Sequence, residues 1–284
     1  MTEKSSNILK IVWGRLKRNK LAIAGAVIIV ILSITAVLSV FIAPYDPSEQ
    51  NLPDRLQQPS IKHICGTDDL GRDVFSRLLY GARISLSVGF IAVIIATFIG
   101  IILGSVAGYF GGVIDNILMR FVDIMLCIPT LFLILMLIVF LGPSIFNVML
   151  IIGLTSWTDL ARMVRAEFLS LKNREYILAA RSAGASNSRI IFTHILPNAL
   201  SPVFVSVTFG VAGAILLESG LSFLGLGVQP PTASWGNILT TGKDYIEVAW
   251  WLTAYPGLAI FITVMSYNLL GEGLRDALDP RLIE

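Results

Sequence analysis

The stretch from Arg174 to Asn198, REYILAARSAGASNSRIIFTHILPN, decides how this chain is interpreted, because its 25 residues form a polar segment between long apolar runs. A chain that only crosses a bilayer needs a short turn at such a place. The segment also carries a face of small residues: Ala179, Ala180, Ala183 and Gly184. A helix lying on lipid headgroups shows bulky apolar residues instead, so we expect another protein to dock here.

Local rules predict that this stretch folds as a helical hairpin. Glu175–Ala183 is rich in good helix formers, and Gly184 suits the left-handed position that ends a helix. Ser186 or Asn187 is then the expected cap of a second short helix. Pro197 suits the first turn of the apolar helix that follows, because a helix start requires no proline N–H group.

The composition indicates a membrane protein, since 55% of the residues are hydrophobic, only 14% are charged and the mean hydropathy is +0.78. We predict an all-α polytopic fold with six transmembrane helices. Asp159 lies at the end of the fourth span and shortens its apolar part. The predicted spans are Leu21–Ala43, Ile84–Gly108, Phe121–Gly142, Ile145–Ala161, Ala199–Glu218 and Trp250–Leu270. The first apolar run is too long for a cleaved signal peptide.

Lysine and arginine predict the orientation of these spans. With the N-terminus inside, 15 of these residues lie on the cytoplasmic side and 6 on the opposite side. Residues 1–20 and 271–284 are then cytoplasmic, as is the hairpin 174–198 within the five-helix core 84–270. Residues 44–83 form an extracytoplasmic loop. The net charge of +2 indicates no nucleic-acid partner, because the basic residues flank membrane spans.

Small residues recur every four positions in the second predicted span: Ala92, Ala96, Gly100, Gly104 and Gly108. Residues with this spacing share one helix face, so a neighbouring helix can pack closely against it. The stripe is consistent with a subunit or bundle interface and with ordinary packing inside a polytopic protein.

Two prolines and two cysteines lie in or near the predicted spans. Pro129 and Pro256 each remove a helix hydrogen bond and favour a kink, which serves gating in some proteins and is purely structural in others. Cys65 is predicted in the outer loop and Cys127 inside the third span. We therefore expect neither a disulfide nor a metal site from them.

The hairpin resembles the cytoplasmic coupling motif of ABC-importer permeases, which is written E-A-A-x3-G-x9-I-x-L-P. The matching residues are Ala179, Ala180, Gly184, Leu196 and Pro197. Two positions depart from the motif, because Leu178 replaces the glutamate and His194 replaces the isoleucine.

The resemblance covers nearly the whole chain, which is similar to the second permease subunit of the dipeptide, oligopeptide and nickel branch of these importers. Further matching blocks are Arg18–Ala22, Ala43–Pro47, Gly66–Asp68, Leu70–Asp73, Ser76–Arg83, Ser222–Pro231, Ser234–Asn237 and Gly273–Pro280. The resemblance implies a type I importer fold in a bacterial or archaeal plasma (inner) membrane. It also implies a second homologous permease, two ATPase subunits and an external solute-binding protein as partners.

In that architecture the hairpin lies in a groove of an ATPase subunit and converts ATPase closure into motion of the spans. The resemblance implies that the coupling residues are Tyr176, Ala179, Ala180, Arg181, Gly184, Ala185, Arg189 and Pro197. ATP and Mg bind the partner ATPases, and no cofactor or catalytic residue is expected in this chain. The segments 46–83 and 220–247 are expected to face the binding protein.

Several acidic residues have two open interpretations. Glu218 at the end of the fifth span is a candidate to face the pore and meet a cationic group of the substrate, or it lies among the headgroups. In the outer loop, three carboxylates are expected either to pair with neighbouring arginines or to stay solvated. These residues are Asp68, Asp69 and Asp73, with Arg72, Arg77 and Arg83.

Other function classes are not supported by motifs. His63 and His194 lie far apart, so the paired ligands of a metalloprotease are missing, and neither a serine-hydrolase elbow nor a phosphate-binding loop occurs. A passive channel stays open as a remote alternative that gives the hairpin no task. Short peptides are favoured as cargo over nickel or another small solute, because no Met, Cys or His cluster suits a metal ion.

Overall fold

A computed structural model describes residues 13–278, and within them the regular structure is helical apart from an isolated antiparallel bridge between Thr67 and Asp73. A 3-10 turn (Leu52–Asp54) and a π-helical segment (Ile190–Ile195) accompany the α-helices. The α-helices are α1 (Lys20–Val37), α2 (Ser39–Ile42), α3 (Val74–Phe110), α4 (Gly112–Cys127), α5 (Thr130–Leu141), α6 (Ile145–Thr155), α7 (Thr158–Leu171), α8 (Glu175–Ser182), α9 (Asn187–Arg189), α10 (Leu196–Phe223), α11 (Trp235–Asp244) and α12 (Trp251–Leu278).

Helix α3 is the central element, and its 37 residues extend for about 55 Å. The small-residue stripe along α3 packs against α7 of the same chain. A methyl group on Gly104 would lie 2.5 Å from the carbonyl oxygen of Ala161, and one on Gly108 would lie 2.6 Å from Cβ of Phe168. The stripe therefore brings two backbones of one bundle together, as predicted for packing within a polytopic protein.

The first and last long helices pack against each other beside this centre. A methyl group on Gly25 of α1 would lie 2.5 Å from the carbonyl oxygen of Ser266 in α12. Helix α12 also contacts α10 and α11, and α10 contacts α3. The main apolar core lies where α3, α6 and α10 meet, around residues such as Val88, Ile152 and Ile215.

Within residues 13–278, four helices are long and apolar enough to cross a membrane, and a fifth crossing is obtained if α4 and α5 count as one broken span. The predicted count of six is not confirmed. The third predicted span falls on α4 and α5, which meet at an angle of 85° beside Pro129. The fourth falls on α6 and α7, which are separated at Ser156 and Trp157. Pro256, in contrast, lies inside a continuous α12.

The segment before α3 is folded rather than loose, and α3 begins ten residues before the predicted Ile84. Asp68 accepts a hydrogen bond of 2.6 Å from Nε of Arg72, and its carboxylate lies 3.5 Å from Nη1 of Arg77. All three side chains are buried. The side chain of Asp73 caps α3 and also lies 2.9 Å from Nδ1 of the buried His63.

The predicted acid–arginine pairing in this segment is therefore confirmed in part. Asp69 lies 3.6 Å from Arg72, whereas Arg83 is exposed and forms no ion pair within residues 13–278. Asp73 pairs with His63, a partner that sequence analysis did not consider. Cys65 is buried here, and this burial raises the pKa of its thiol to about 11. Cys127 is exposed on α4, and both cysteines are free.

Some predicted features lie outside the described residues. They include the basic residues Lys4, Lys10 and Arg281 and the end of the last matching block at Asp279 and Pro280.

Candidate functional site

The predicted hairpin is present, and local interactions form both of its helices. Helix α8 ends before Gly184, whose φ of +81° is a conformation that side chains with a Cβ atom rarely adopt. The side chain of Ser186 then accepts a hydrogen bond of 3.3 Å from the backbone N–H of Arg189. Of the two predicted caps, Ser186 is therefore the one that starts α9. Pro197 lies in the first turn of α10, as predicted.

The side of the hairpin that faces the bundle is apolar. Ile177, Ile190 and Ile195 are fully buried, and they pack around Phe168 of α7, which is also fully buried. This cluster continues into the first turns of α10. The hairpin is thus attached to the helices behind it by a core of its own, separate from the main core.

Polar contacts attach the same unit to the end of α3. The hydroxyl of Tyr109 donates a hydrogen bond of 2.7 Å to Oδ1 of Asn187 at the tip of the hairpin. Nζ of Lys172 donates one of 2.9 Å to the carbonyl oxygen of Gly108. The long central helix of the bundle therefore ends directly on the hairpin.

A bidentate ion pair joins α4 to α7 near this end of the bundle. Arg165 of α7 donates hydrogen bonds of 2.5 and 2.7 Å from its Nε and Nη2 to the carboxylate of Asp115 in α4. The planar fork of arginine matches both carboxylate oxygens, which favours one orientation of α7 against α4.

Most of the predicted coupling residues are exposed. The tyrosine ring of Tyr176 is 47% exposed. Ala180 and Ala185 are half-buried at the edge of this surface. The remaining predicted residues are exposed: Ala179, Arg181, Gly184, Arg189 and Pro197. We call this set the hairpin surface; it combines a small-residue patch with two arginines.

The hairpin surface also contains bulky apolar side chains that sequence analysis did not assign. Leu178, at the glutamate position of the motif, is 46% exposed, and Phe192 is 66% exposed. Leu178 directly precedes the small residues Ala179 and Ala180, whereas Phe192 lies in the π-helical segment, and no signal in the sequence marked its exposure. His194, at the isoleucine position, lies in the π-helical segment, and its carbonyl oxygen accepts a hydrogen bond from Asn198.

Glu218 does not occupy either position expected from the sequence. Its side chain is fully buried, so the expectation that it faces a pore or the headgroups is corrected. The hydroxyls of Ser222 and Ser234 donate hydrogen bonds of 2.8 and 2.9 Å to its Oε1, and Ser85 donates one of 3.3 Å to its Oε2. Hydroxyl donors replace the solvation that a buried carboxylate loses, which explains why this position is tolerated.

The three serine hydroxyls that donate to this carboxylate also accept hydrogen bonds from backbone N–H groups. The backbone N–H groups of Val228, Trp235 and Asn237 donate to the hydroxyls of Ser222, Ser85 and Ser234 at 3.2 to 3.3 Å. Glu218 thus ties together α3, α10, the segment 224–234 and the start of α11. Its observed role is to organise that end of the bundle.

The sequence is similar to known families and proteins along most of its length. Residues 100–284 match the family described as binding-protein-dependent transport system inner membrane component. Residues 7–59 match the N-terminal TM domain of oligopeptide transport permease C. The dipeptide transport system permease protein DppC of Alkalihalophilus pseudofirmus is 44% identical, with 95% of this chain and 89% of that protein covered. DppC of Escherichia coli is 47% identical, with coverages of 95% and 92%. The oligopeptide transport system permease protein OppC of Bacillus subtilis is 42% identical, with coverages of 99% and 92%.

Solved structures show the same fold at lower identity. A chain of the inward-facing MetNI methionine ABC transporter superposes with a TM-score of 0.59 at 21% identity, covering 72% of this chain and 98% of that one. A chain of an amino acid ABC transporter gives a TM-score of 0.51 at 17% identity, covering 71% and 92%. With the sequence matches, these results lead to one conclusion: the chain belongs to the family of binding-protein-dependent transport system inner membrane components and is a dipeptide/oligopeptide ABC permease of the C type.

Proposed function

We propose that this chain is the permease subunit of an ATP-driven importer that forms, with a second homologous permease, the path for short peptides. The relatives that match over nearly the full chain are named as dipeptide and oligopeptide permeases, and this supports peptides over nickel as the cargo. An external binding protein delivers the peptide. Two ATPase subunits bind ATP and Mg and perform the hydrolysis, and this chain contributes no cofactor of its own.

The hairpin surface is the proposed contact with an ATPase subunit. The observation that carries this proposal is its combination of a rigid attachment and an exposed outer face. Ile177 and Ile190 are fully buried against the bundle, whereas Tyr176 and Leu178 are nearly half exposed only one residue from Ile177. A rigidly attached surface of this kind transmits a push to α3 and α10. Its exposed apolar side chains are typical of a surface that a partner covers.

The orientation follows from the same proposal. The hairpin, the N-terminus and the C-terminus lie in the cytoplasm, and residues 46–83 and 220–247 face the binding protein. The divided elements α4–α5 and α6–α7 then complete six crossings. An inner-membrane location agrees with the description of the family.

Reconstitution of the whole complex tests the proposal. Permeases, ATPases and loaded binding protein are placed in proteoliposomes, and uptake of a labelled dipeptide to pentapeptide is compared with uptake of nickel. We expect peptide uptake that requires ATP and the binding protein. Nickel uptake without peptide uptake would contradict the cargo, and flux without ATP would indicate a passive channel.

A further inference from the structure

Two adjoining cavities follow one face of α10. The first has a volume of about 330 Å³ and is bounded by α3, α6, α7 and α10. The second, of about 620 Å³, lies between α7, α10 and α12. Ser206 and Phe209 line both cavities, so they form a single groove.

The length of the groove is close to the thickness of the hydrocarbon core of a bilayer. Its wall on α10 extends from Asn198 to Leu217. These positions are 19 residues apart, which corresponds to about 28 Å along a helix. The hydrocarbon core of a bilayer is about 30 Å thick. The groove therefore accompanies α10 through most of a membrane.

An acid lines the first of these cavities. Asp159 is exposed, lines the first cavity and forms no ion pair with any residue that the structure describes between 13 and 278. Thr97 of α3 lines the same cavity, and its buried hydroxyl oxygen has no hydrogen-bond partner within that range. Thr97 is 13 residues from the end of α3 at Phe110, which places this level about 20 Å from that end.

A charged carboxylate at this depth is unfavourable in hydrocarbon, and such residues face water-filled cavities or pair with other groups. Lipid tails in the groove would leave the exposed carboxylate of Asp159 without a partner. A closely packed helix of another subunit would desolvate the carboxylate in the same way. Water and a passing polar solute form hydrogen bonds with this exposed carboxylate, so they are the occupants that the chemistry favours.

The groove has further polar groups toward its other end. Ser201 and Asn198 of α10 line the second cavity together with Glu167 and Arg275. An acidic and a basic side chain therefore both border the second cavity. This arrangement suits a solute that carries an ammonium group and a carboxylate at once.

We infer that this face of α10 is one wall of the translocation pathway, and that Asp159 binds the ammonium group of a peptide as it passes. The inference rests on the proposed function and adds to it the path and the chemical group that is bound. It replaces the earlier expectation for Glu218, because the acid that a solute can reach is Asp159 and the buried Glu218 is occupied by serine hydroxyls.

Cysteine accessibility tests the wall. In the full complex with Cys65→Ser and Cys127→Ser, we expect Ser206→Cys to react with a membrane-impermeant methanethiosulfonate and the modification to block peptide uptake. Phe204→Cys is the matched control, because Phe204 is 57% exposed but lies on the opposite side of α10. Reaction at Ser206 no faster than at Phe204 would show that lipid or a subunit covers the groove and would overturn the inference.

Asp159 is tested by charge removal. In a complex whose unmodified form takes up peptide, Asp159→Asn should lower peptide uptake per ATP hydrolysed by about tenfold, because one charge-assisted hydrogen bond is lost. Asp159→Glu should restore most of it, and complex assembly should be unchanged in both. Asp123→Asn neutralises an exposed acid on a different helix, α4, and should not change the peptide uptake per ATP hydrolysed. If the Asp159→Asn complex and the unmodified complex take up the same amount of peptide per ATP hydrolysed, the assignment of Asp159 is overturned. Absence of uptake in the unmodified complex would instead contradict the proposed function.

Discussion

The segment that precedes α3 and the hairpin 174–198 place polar and apolar side chains in opposite ways. In the first, charged side chains are inside: Asp68 is 2% exposed and Arg77 is 3% exposed. In the second, apolar side chains are outside, with Leu178 and Phe192 about half exposed or more. The first region is held together by its own ion pairs, whereas the second exposes apolar side chains that the proposed ATPase contact would cover. Changes in the first should therefore cost stability, and changes on the outer side of the second should cost function.

The largest effect is expected at Asp68. Asp68→Ala removes the acceptor for Nε and the backbone N–H of Arg72 and leaves the buried Arg77 without its nearest carboxylate. Breaking a buried ion pair from one side costs about 3–5 kcal/mol. A thermal-unfolding measurement on detergent-purified protein should show a marked loss. Glu49→Ala, at an exposed acid in the same segment, should change stability by less than about 0.5 kcal/mol. Similar melting temperatures for both variants would show that the buried ion pairs do not stabilise the segment before α3.

Substitutions at two neighbouring residues, Ile177 and Leu178, test the buried and exposed sides of the hairpin separately. Ile177→Ala leaves a cavity in the core around Phe168 and should cost about 2–4 kcal/mol. Leu178→Ala, one residue later and 46% exposed, should leave the free energy of unfolding nearly unchanged. Unfolding in denaturant measures both. Equal losses would mean that the hairpin has no distinct buried and exposed sides.

A smaller cost is expected at the turn. Gly184→Val places a β-branched residue at a φ of +81°, which costs about 1–2 kcal/mol even though a Cβ atom there meets no other atom within 4 Å. We expect weaker stimulation of ATPase activity by the loaded binding protein in the reconstituted complex. Gly184→Asn is the control, because asparagine tolerates this conformation better. Normal stimulation in the valine variant would show that the position of the turn does not affect coupling.

The smallest effect on stability should accompany a large effect on function at Ala180. Ala180→Glu places a charge at the half-buried edge of the hairpin surface and should change stability by less than about 0.5 kcal/mol. Peptide uptake should nevertheless be lost, because the side chain blocks a close contact with the ATPase. Ser170→Glu, on an exposed position of α7, should leave uptake intact. Normal uptake with Ala180→Glu would disprove the docking of an ATPase on this surface.

Much of the hairpin could be predicted because its signals are local. Helix ends depend on residues within a few positions, so Gly184 could be assigned from the sequence and the cap of the second helix narrowed to Ser186 or Asn187. The exposure of Phe192 could not, because burial depends on which side of the π-helical segment meets Phe168. That orientation is set by helices distant in the sequence.

The spans show the same limit. Composition identified apolar segments of sufficient length, but uniformly apolar runs carry no information about where a helix bends. The angle of 85° between α4 and α5 was therefore not predicted, although Pro129 marked the place. The early start of α3 was missed because Val74 to Arg83 contains polar residues that turned out to be buried against folded neighbours.

The sequence by itself determined the class of the protein, its family resemblance and the local geometry of the hairpin, because these depend on composition and on contacts between near neighbours. Only the tertiary structure decided what the acidic residues do. Ser85 is 133 residues from Glu218, and chain spacing gives no indication that they meet. The fold encloses Glu218 with hydroxyl donors and leaves Asp159 open to a groove, and for a charged group in a membrane protein this difference in surroundings determines the role.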